Sequence, residues 1–361
     1  MKIELIGKPE TVMSNPESKH NYFGWPTAVR LKNGRIAVGA SGFRFYHICP
    51  FGKTVICFSE DEGKSYTAPM PVIDTCLDDR DAGLCPFGES GLIVVSFNND
   101  VNFQREQNKR RKDTPRGKYI EAYLDTVSPE EEKNALGITY RISYDNGVTF
   151  GPIFKSPISS PHGPIELGDG SILWVGRTYK SGRDIAAYKL NTADGMMEYI
   201  GEIDTSAVEA SGRFTCEPYA IELEDGKILC HIRVDCRTAP NCFTLYQTES
   251  GDGGRTWTAP KQILPDRGGA PSHILKHSSG ALIATYGYRD LPYGIKAMIS
   301  RDGGKTWSEG EYLYSNEISA DLGYPSTLEL TDGSLLTVFY ATPEKNGPAI
   351  IMQQKWSLLD E

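Results

Sequence analysis

Short apolar segments joined by turn residues recur along the chain and predict β-hairpins. Six of them share one pattern: an apolar strand, a tight turn of Asn, Asp or Gly, and a second apolar strand. The six begin at Trp25-Pro26, Leu84, Gly163-Pro164, Glu217-Pro218, Ala270-Pro271 and Tyr324-Pro325. The prolines that open the last four of these segments, at positions 164, 218, 271 and 325, are 54, 53 and 54 residues apart. A repeat of this length with several strands predicts a propeller blade, because the closed ring leaves no exposed sheet edges.

A second repeat marks one turn of these blades. It reads Ser-x-Asp-x-Gly-x-Thr/Ser-aromatic and occurs at 59–66, 143–150, 250–257 and 300–307. The Asp accepts hydrogen bonds from turn amides, the Gly supplies a positive φ, and the aromatic packs beneath the turn. Four copies in register indicate a repeat protein. Together the two patterns predict an all-β fold, a six-bladed β-propeller with four-stranded antiparallel blades.

Three further segments either depart from this repeat or complete it. Residues 98–137 form a long insertion in the second blade, in which Ser128-Pro129-Glu130-Glu131 predicts the start of a short helix. The insertion is either a solvated surface loop or a partial lid or interface arm. Residues 191–195 resemble a decayed turn of the third blade. Residues 3–6 are expected to pair with 350–356 and close the ring of a single domain, 1–361.

The net charge, the apolar segments and the cysteines exclude several classes of function. The net charge of −9 argues against a nucleic-acid partner. The first residues lack a signal-peptide core, and no apolar run is long enough to span a membrane. The eight cysteines show no Cys-x-x-Cys pair, and the spacing of 230, 231, 236 and 242 does not fit a zinc site. We therefore expect reduced, buried thiols in a cytoplasmic protein without metal or cofactor.

Arginines end the second strand of four predicted blades. The residues at these strand ends are Arg44, Asn98, Arg177, Arg233, Arg289 and Tyr340. Because equivalent positions of a propeller face one axis, we expect the four arginines to meet in a funnel and bind an anion such as a carboxylate. The structural alternative is that each one pairs with a carboxylate between blades.

The starts of the inner strands are polar as well. They carry Asp79-Arg80-Asp81, His162, Arg213 with Glu217, His273 and Tyr324. We expect Glu217 to lie deep in the funnel, where its carboxylate would accept the Tyr324 proton and make that oxygen a better nucleophile.

These features resemble the sialidase (neuraminidase) superfamily, with its Asp-box turns, over essentially the whole chain. The segment from Glu217 to Arg233 is similar to the one that bears the glutamate partner of the nucleophile and a carboxylate-binding arginine. Gly323-Tyr324-Pro325-Ser326 resembles the segment with the tyrosine nucleophile, and Arg289 resembles another member of the arginine triad. Tyrosine suits that family because the carboxylate at the anomeric centre of its substrate repels an anionic nucleophile.

Two positions depart from the family pattern. The Phe/Tyr-Arg-Ile-Pro motif is replaced by Phe23-Gly24-Trp25-Pro26, so one triad arginine is absent, and we expect Trp25 to stack on a sugar face instead. No Asp stands in 44–50, where the family has its acid/base aspartate. We expect His47 or Asp81 to transfer the proton in its place.

The resemblance implies an exo-acting glycoside hydrolase that removes a terminal, anionic or deoxy sugar from an oligosaccharide. Its catalytic residues would be Tyr324, Glu217 and Asp81 or His47. The ligand would be held by Arg44, Arg80, Arg177, Arg233, Arg289, Trp25, His162 and His273. Two alternatives stay open: a polysaccharide lyase or α-L-rhamnosidase with His/Tyr chemistry, and a glycan-binding propeller without catalysis. The histidines are otherwise satisfied core residues, and the sequence leaves the oligomeric state open.

Overall fold

Six antiparallel β-sheets surround a common axis in the computed structural model of the protein. The structure describes residues 2–178, 185–237, 239 and 242–359. In each sheet the strands follow one another from the axis outward, and the sixth sheet takes its outermost strand from the beginning of the chain. The predicted all-β six-bladed β-propeller with four-stranded blades is confirmed.

The strands follow the predicted repeat. The chain begins with β1 (Lys2–Met13), which belongs to the sixth blade. The first blade has β2 (Tyr22–Arg30), β3 (Ile36–Arg44), β4 (Lys53–Ser59) and β5 (Met70–Ile73), and the second has β6 (Leu84–Phe87), β7 (Gly91–Phe97), β8 (Ile138–Ser143) and β9 (Phe154–Ser156). The third has β10 (Ile158–Ser159), β11 (Ile165–Glu166), β12 (Ile172–Thr178), β13 (Ile185–Asn191) and β14 (Met196–Ile203). Its inner strand is split, since both β10 and β11 pair with β12.

The other three blades are regular. The fourth has β15 (Phe214–Glu222), β16 (Ile228–Asp235), β17 (Phe243–Ser250) and β18 (Lys261–Gln262). The fifth has β19 (Ser272–Lys276), β20 (Leu282–Tyr288), β21 (Tyr293–Ser300) and β22 (Glu311–Asn316), and the sixth has β23 (Gly323–Glu329), β24 (Leu335–Ala341) and β25 (Ile350–Leu359). The helices are α1 (Val101–Asn108), α2 (Pro115–Leu124), α3 (Pro129–Ala135) and α4 (Ser206–Ala210).

The ring closes where the two ends of the chain meet. Strand β1 pairs with β25 from Lys2↔Leu359 to Met13↔Ile351, with Leu5 opposite Trp356. The predicted closure is therefore confirmed. Because this pairing supplies the last strand of the sixth blade, the contact of that blade with the first blade depends on it.

The hydrophobic core is divided into wedges between neighbouring blades. One wedge packs Val38 and Val55 of the first blade against Leu336 and Val338 of the sixth. Similar clusters fill the other interfaces between neighbouring blades. Each inner strand is thereby fixed against both neighbours, which sets the positions of the side chains that face the axis.

The four Ser-x-Asp turns share one set of hydrogen bonds. In the first, Ser59 Oγ accepts from Gly63 N at 2.9 Å, and Asp61 accepts from Ser65 N at 2.8 Å and Ser65 Oγ at 2.6 Å. The Ser65 hydroxyl and amide lower the pKa of Asp61 to about 2. The turns around Asp145, Asp252 and Asp302 repeat this arrangement.

The insertion in the second blade lies between β7 and β8 and contains α1, α2 and α3. The helix predicted at Ser128 is confirmed, with a capping box between Ser128 and Glu131. Ile120 and Leu124 of α2 pack against Phe45 and Cys49 of the first blade. The helices therefore support the loop that follows β3, at the rim of the axial funnel. Among the described residues, none of the helices combines the length and apolar character that crossing a membrane would require.

The expectation of eight reduced thiols is wrong for one pair of cysteines. Cys236 and Cys242 form a disulfide across the end of the β16–β17 hairpin, with their Cα atoms 5.3 Å apart. The two cysteines are 6 residues apart, and cysteine spacing alone does not reveal which thiols pair across a hairpin. Since disulfides are rare in reducing compartments, the cysteines no longer support a cytoplasmic location.

The closing strand pair gives a test of the fold. Trp356 is fully buried, and its indole nitrogen donates to Thr337 Oγ1 at 2.8 Å. We expect Trp356→Ala to lower the free energy of unfolding by about 3–5 kcal/mol in urea denaturation, because it opens a cavity and removes this bond. Leu5→Ala, on the paired strand but 48% exposed, is the control and should cost less than about 0.5 kcal/mol. Equal losses in the two variants would contradict a tightly packed closure.

Candidate functional site

Four large residues stand in the left-handed backbone region where inner strands begin. The φ values are 55° for Trp25, 58° for Asp81, 48° for Glu217 and 49° for Tyr324. The strand register shifts around Trp25, Glu217 and Tyr324, each of which precedes a proline. Left-handed backbone is unfavourable for bulky residues, and a bulge redirects the side chain. These outliers mark the inner ends of the blades as a candidate site.

Tyr324 and Glu217 meet across the axis, although they come from the sixth and fourth blades. The Tyr324 hydroxyl donates a hydrogen bond to Glu217 Oε1 at 2.7 Å. Arg233 Nη1 donates to Glu217 Oε2 at 2.8 Å and to the Tyr324 oxygen at 3.2 Å. Burial, with the Glu217 carboxylate, raises the pKa of Tyr324 well above its usual value, so the residue is a phenol at neutral pH. Its proton points at a carboxylate, and its oxygen lies beside a fixed positive charge.

Arg233 and Arg289 form the cationic side of this pair. Their guanidinium carbons lie 4.4 and 5.0 Å from the centre of the Phe243 ring. Arg233 is also held by Asp235, through Nε to Oδ1 at 2.8 Å. Arg289 donates only to the carbonyl of Leu322, at 3.1 and 3.2 Å, and no carboxylate of the described residues pairs with it. Its charge is therefore available to an anionic ligand.

Asp81 contributes a second carboxyl group to the centre. It is almost fully buried, and its side chain receives no hydrogen bond from the part of the chain that the structure describes. Burial raises the pKa of Asp81 to about 7, and the nearby Glu217 adds to the rise while Arg80 opposes it. A carboxyl group with this pKa can both give and take a proton near neutral pH.

His47 belongs to a hydrogen-bonded cluster on the rim. Its Nδ1 lies 2.9 Å from Asp321 Oδ1 and 3.1 Å from the Tyr22 hydroxyl. Tyr22 and Tyr340 also donate to Asp321, at 2.9 and 3.1 Å. Burial lowers the pKa of His47 in spite of this carboxylate, although the side chain is 47% exposed. Burial raises the pKa of Asp321, but the bonds from its three partners outweigh burial and leave it below the usual value.

The predicted meeting of four arginines is wrong for Arg44. Arg44 is fully buried and forms an ion pair with Asp78 at 2.6 Å. It also donates to Ser41 Oγ and to the carbonyl of His47. A guanidinium that is cut off from solvent and already bonded on several sides cannot reach a ligand. Arg44 therefore has a structural role, in which it pairs with a carboxylate of the protein.

Trp25 does not offer a ring face to a sugar. It is only 2% exposed, and the guanidinium of Arg80 lies 4.0 Å from the ring centre, with Arg44 at 4.9 Å. His47 meets the same indole edge-on at 4.8 Å. Arg80 itself is largely buried and donates to the His47 carbonyl at 2.7 Å. Trp25 and Arg80 therefore form the floor of the site.

The remaining expected ligand-binding residues lie away from Tyr324. Arg177 stacks on Phe214 at 3.8 Å and donates to the carbonyl of Thr215. His162 and His273 are buried beside each other, with ring centres 5.2 Å apart, and burial lowers the pKa of both. They are core histidines of the axial channel and neutral at physiological pH.

Sequence reasoning missed Asp235, Asp321 and Asp78. Asp235 carries a usable signal, because residues two apart on a strand share a face and it follows Arg233 by two. Asp321 and Asp78 lie in loops, and their partners come from other segments of the chain. No local pattern marks them.

Comparison with known proteins places these features in a family. The BNR repeat-like domain profile matches residues 114–337. No curated protein sequence matches the chain. A protein of unknown function from Dyadobacter fermentans DSM 18053 superposes with a TM-score of 0.76 at 18% identity, with 99% of each chain covered.

Two solved glycoside hydrolases share the fold. The intramolecular trans-sialidase of Ruminococcus gnavus superposes with a TM-score of 0.63 at 14% identity, covering 95% of this chain and 96% of that one. The α-L-arabinanase of Penicillium chrysogenum does so with a TM-score of 0.61 at 14% identity, with 98% of each chain covered. At such identities the likeness concerns the fold. On the match over residues 114–337, the chain belongs to the BNR repeat-like domain family, as a divergent member, and it shares its propeller fold with these solved structures.

Proposed function

We propose that the protein is an exo-acting glycoside hydrolase that releases a terminal anionic sugar, with Tyr324 as nucleophile. The observation that carries this proposal is the contact of the Tyr324 hydroxyl with Glu217 at 2.7 Å, beside Arg233 at 3.2 Å. A nucleophile, a base and a group that stabilises the resulting anion are thus held together by three different elements. The solved propeller glycosidases of similar fold support this reaction class.

The proposed first step forms a bond between Tyr324 and the sugar. The Tyr324 oxygen attacks the anomeric carbon while its proton moves to Glu217 Oε1. The bond between that carbon and the leaving oxygen breaks, and Asp81 gives the leaving oxygen its proton. The positive charge of Arg233 stabilises the negative charge that develops on the phenolic oxygen.

The proposed second step reverses these roles. Water attacks the same carbon and loses a proton to the Asp81 carboxylate, and Glu217 returns its proton to the Tyr324 oxygen as that oxygen leaves. Two displacements at one carbon give net retention of configuration.

Arg233 and Arg289 suggest the charge of the sugar. Both lie against Phe243 beside Tyr324, and Arg289 has no carboxylate partner among the described residues. A carboxylate on the sugar would receive hydrogen bonds from Arg289, while Arg233, already bonded to Glu217 and Asp235, would contribute its positive charge. It would also favour a neutral phenol over a carboxylate nucleophile, since two anions repel each other.

Asp81 suits the role of acid better than His47. With a pKa of about 7 it keeps its proton near neutral pH and lies close enough to Glu217 for their charges to interact. His47 is hydrogen-bonded to Asp321 at the rim, and its lowered pKa leaves it neutral. We therefore assign the proton transfers to Asp81.

Turnover of a glycan panel tests the nucleophile. The panel contains α-sialosides, uronate disaccharides and rhamnosides, and mass spectrometry follows the products. We expect Tyr324→Phe to lower kcat/KM by about three orders of magnitude or more, because phenylalanine has no nucleophilic oxygen. Tyr312→Phe, on the outer strand β22, is the matched control and should keep full activity.

Other outcomes separate the alternatives. An unsaturated uronate product would indicate a lyase, and release of a neutral rhamnose would indicate a rhamnosidase. Binding without any turnover would indicate a glycan-binding propeller. Full activity in Tyr324→Phe would remove this residue from the mechanism.

The stability of Asp81→Asn as a function of pH tests the raised pKa without any substrate. The folded-state pKa of about 7 exceeds the ordinary value of 3.8, so the folded protein binds this proton more tightly than the unfolded chain. The free energy of unfolding must then fall as pH rises through this window. We expect the gain of Asp81→Asn over wild type in urea denaturation to be about 2–3 kcal/mol larger at pH 8 than at pH 5. The exposed Asp113→Asn should show no such trend, and the same flat profile for Asp81→Asn would contradict the assignment.

A further inference from the structure

A pocket of about 540 Å³ opens on the rim beside the cluster of His47 and Asp321. The first blade, the sixth blade and the helical insertion all line it, chiefly through Tyr46, His47, Arg111, Arg116 and Asp321. Two of these residues, Arg111 and Arg116, come from the insertion, which the reaction proposed above does not use.

Two cations of the insertion are held by its own carboxylates, whereas Arg111 and Arg116 are not. Arg105 pairs with Glu121 and Asp125, and Lys109 pairs with Glu106. In contrast, neither Arg111 nor Arg116 forms an ion pair with any carboxylate that the structure describes. The carboxylates of Glu106, Glu121 and Asp125 in the insertion are bound to Lys109 and Arg105.

Aromatic rings orient both guanidinium groups. The Arg111 guanidinium carbon lies 4.2 Å from the centre of the Tyr46 ring, and that of Arg116 lies 5.5 Å from the same ring and 5.3 Å from Phe45. A guanidinium that stacks on a ring keeps the N–H groups of its edge free for an oxyanion. Two such groups over one tyrosine are arranged as a pair.

The turn that carries these arginines is held rigidly. Arg111 N donates to Asn108 O at 2.8 Å, and Thr114 N donates to Arg111 O at 2.9 Å. The Asn108 side chain donates to Gly117 O at 3.0 Å, and a Cβ at Gly117 would lie 1.8 Å from Arg111 O. Only glycine permits this close approach, so the position of the pair is set before any ligand binds.

The other charged groups of the pocket leave it cationic. The Asp321 carboxylate is already the acceptor for Tyr22 and Tyr340 and contacts His47 Nδ1. The lowered pKa of His47 leaves that ring neutral near pH 7. Two arginines thus face one carboxylate that other groups already occupy.

The pocket shares a wall with the reacting residues. The Tyr340 ring lies 6.1 Å from the Tyr324 ring, and its hydroxyl donates to Asp321 at 3.1 Å on the pocket side. A group that extends from a sugar at Tyr324 past Tyr340 toward Asp321 would reach the rim pocket.

We propose that Arg111 and Arg116 bind an anionic group on the leaving-group side of the glycoside, so that the preferred substrate is charged on both sides of the bond that breaks. The assignment to the leaving-group side rests on the proposed hydrolase function, whereas the existence of the anion site does not. The shared chemistry is an oxyanion, either the carboxylate of an acidic sugar or a sulfate or phosphate ester.

The first arm of the test needs no catalysis and uses inorganic sulfate as the probe. Side-chain Nε–Hε NMR signals of Arg111 and Arg116 are followed as sulfate is added to the full chain. We expect saturable shifts of both signals, whereas sulfate bound at the centre would shift Arg233 and Arg289. The Lys112→Gln/Lys118→Gln control removes the same charge from exposed neighbours and should leave the Arg111 and Arg116 shifts saturable. Shifts that grow linearly, like those of exposed arginines elsewhere, would overturn the anion site.

The second arm compares matched leaving groups on the sugar that the glycan panel identifies. One series has a neutral leaving group, and the others carry a carboxylate or a sulfate ester at the same position. We expect Arg111→Gln/Arg116→Gln to lower kcat/KM for an anionic series by about tenfold or more, mainly through KM, and to leave the neutral series unchanged. The series that loses most identifies the anion. Equal effects on all series, or none, would overturn the leaving-group assignment.

The two arms keep this inference separable from the proposed reaction. If Tyr324→Phe retained full activity, the hydrolase mechanism would fail while the sulfate titration still decided the rim site. If sulfate did not saturate the rim arginines, the rim site would fail while the Tyr324 result stood.

Discussion

The hydrogen bond between Tyr324 and Glu217 joins blades that are not neighbours, and both residues adopt a left-handed backbone. Such a conformation costs about 1–3 kcal/mol for a non-glycine residue. A closed ring can hold it, because each inner strand is packed on both sides and cannot relax without opening an interface between blades. The strand pair β1–β25 keeps the ring closed. The chemistry at the axis therefore depends on this pair, because it needs the geometry that ring closure imposes.

Burial and charge then divide the arginines into two groups with different roles. Arg44 and Arg80 lie beneath the site, where they cover Trp25 and pair with Asp78. Arg233 and Arg289 lie beside Tyr324 against Phe243. The same residue type at the same repeat position thus supports the floor in one blade and faces the pocket in another.

The sequence predicted what the repeat determines and missed what single loops determine. The six blades, the turns and the closing strand pair follow from periodic patterns, and the juxtaposition of Tyr324 with Glu217 follows from their equivalent positions in two blades. The ligand-binding roles predicted for Arg44 and Trp25 were wrong. The partners of these residues, such as Asp78, come from loops that carry no periodic signal. The disulfide of Cys236 and Cys242 and the cluster around Asp321 were missed for the same reason. The position of an arginine in the sequence does not reveal whether its guanidinium will pair with a carboxylate of the protein or with one of a ligand.

The proposed mechanism requires a covalent bond between Tyr324 and the sugar, and this bond can be trapped. A substrate with fluorine next to the anomeric carbon and fluoride as leaving group slows the breakdown of a glycosyl intermediate more than its formation, and peptide mass spectrometry locates the attached sugar. We expect an adduct on Tyr324 that is absent in Tyr324→Phe. An adduct on another residue, or continued turnover with Tyr324 unmodified, would contradict it.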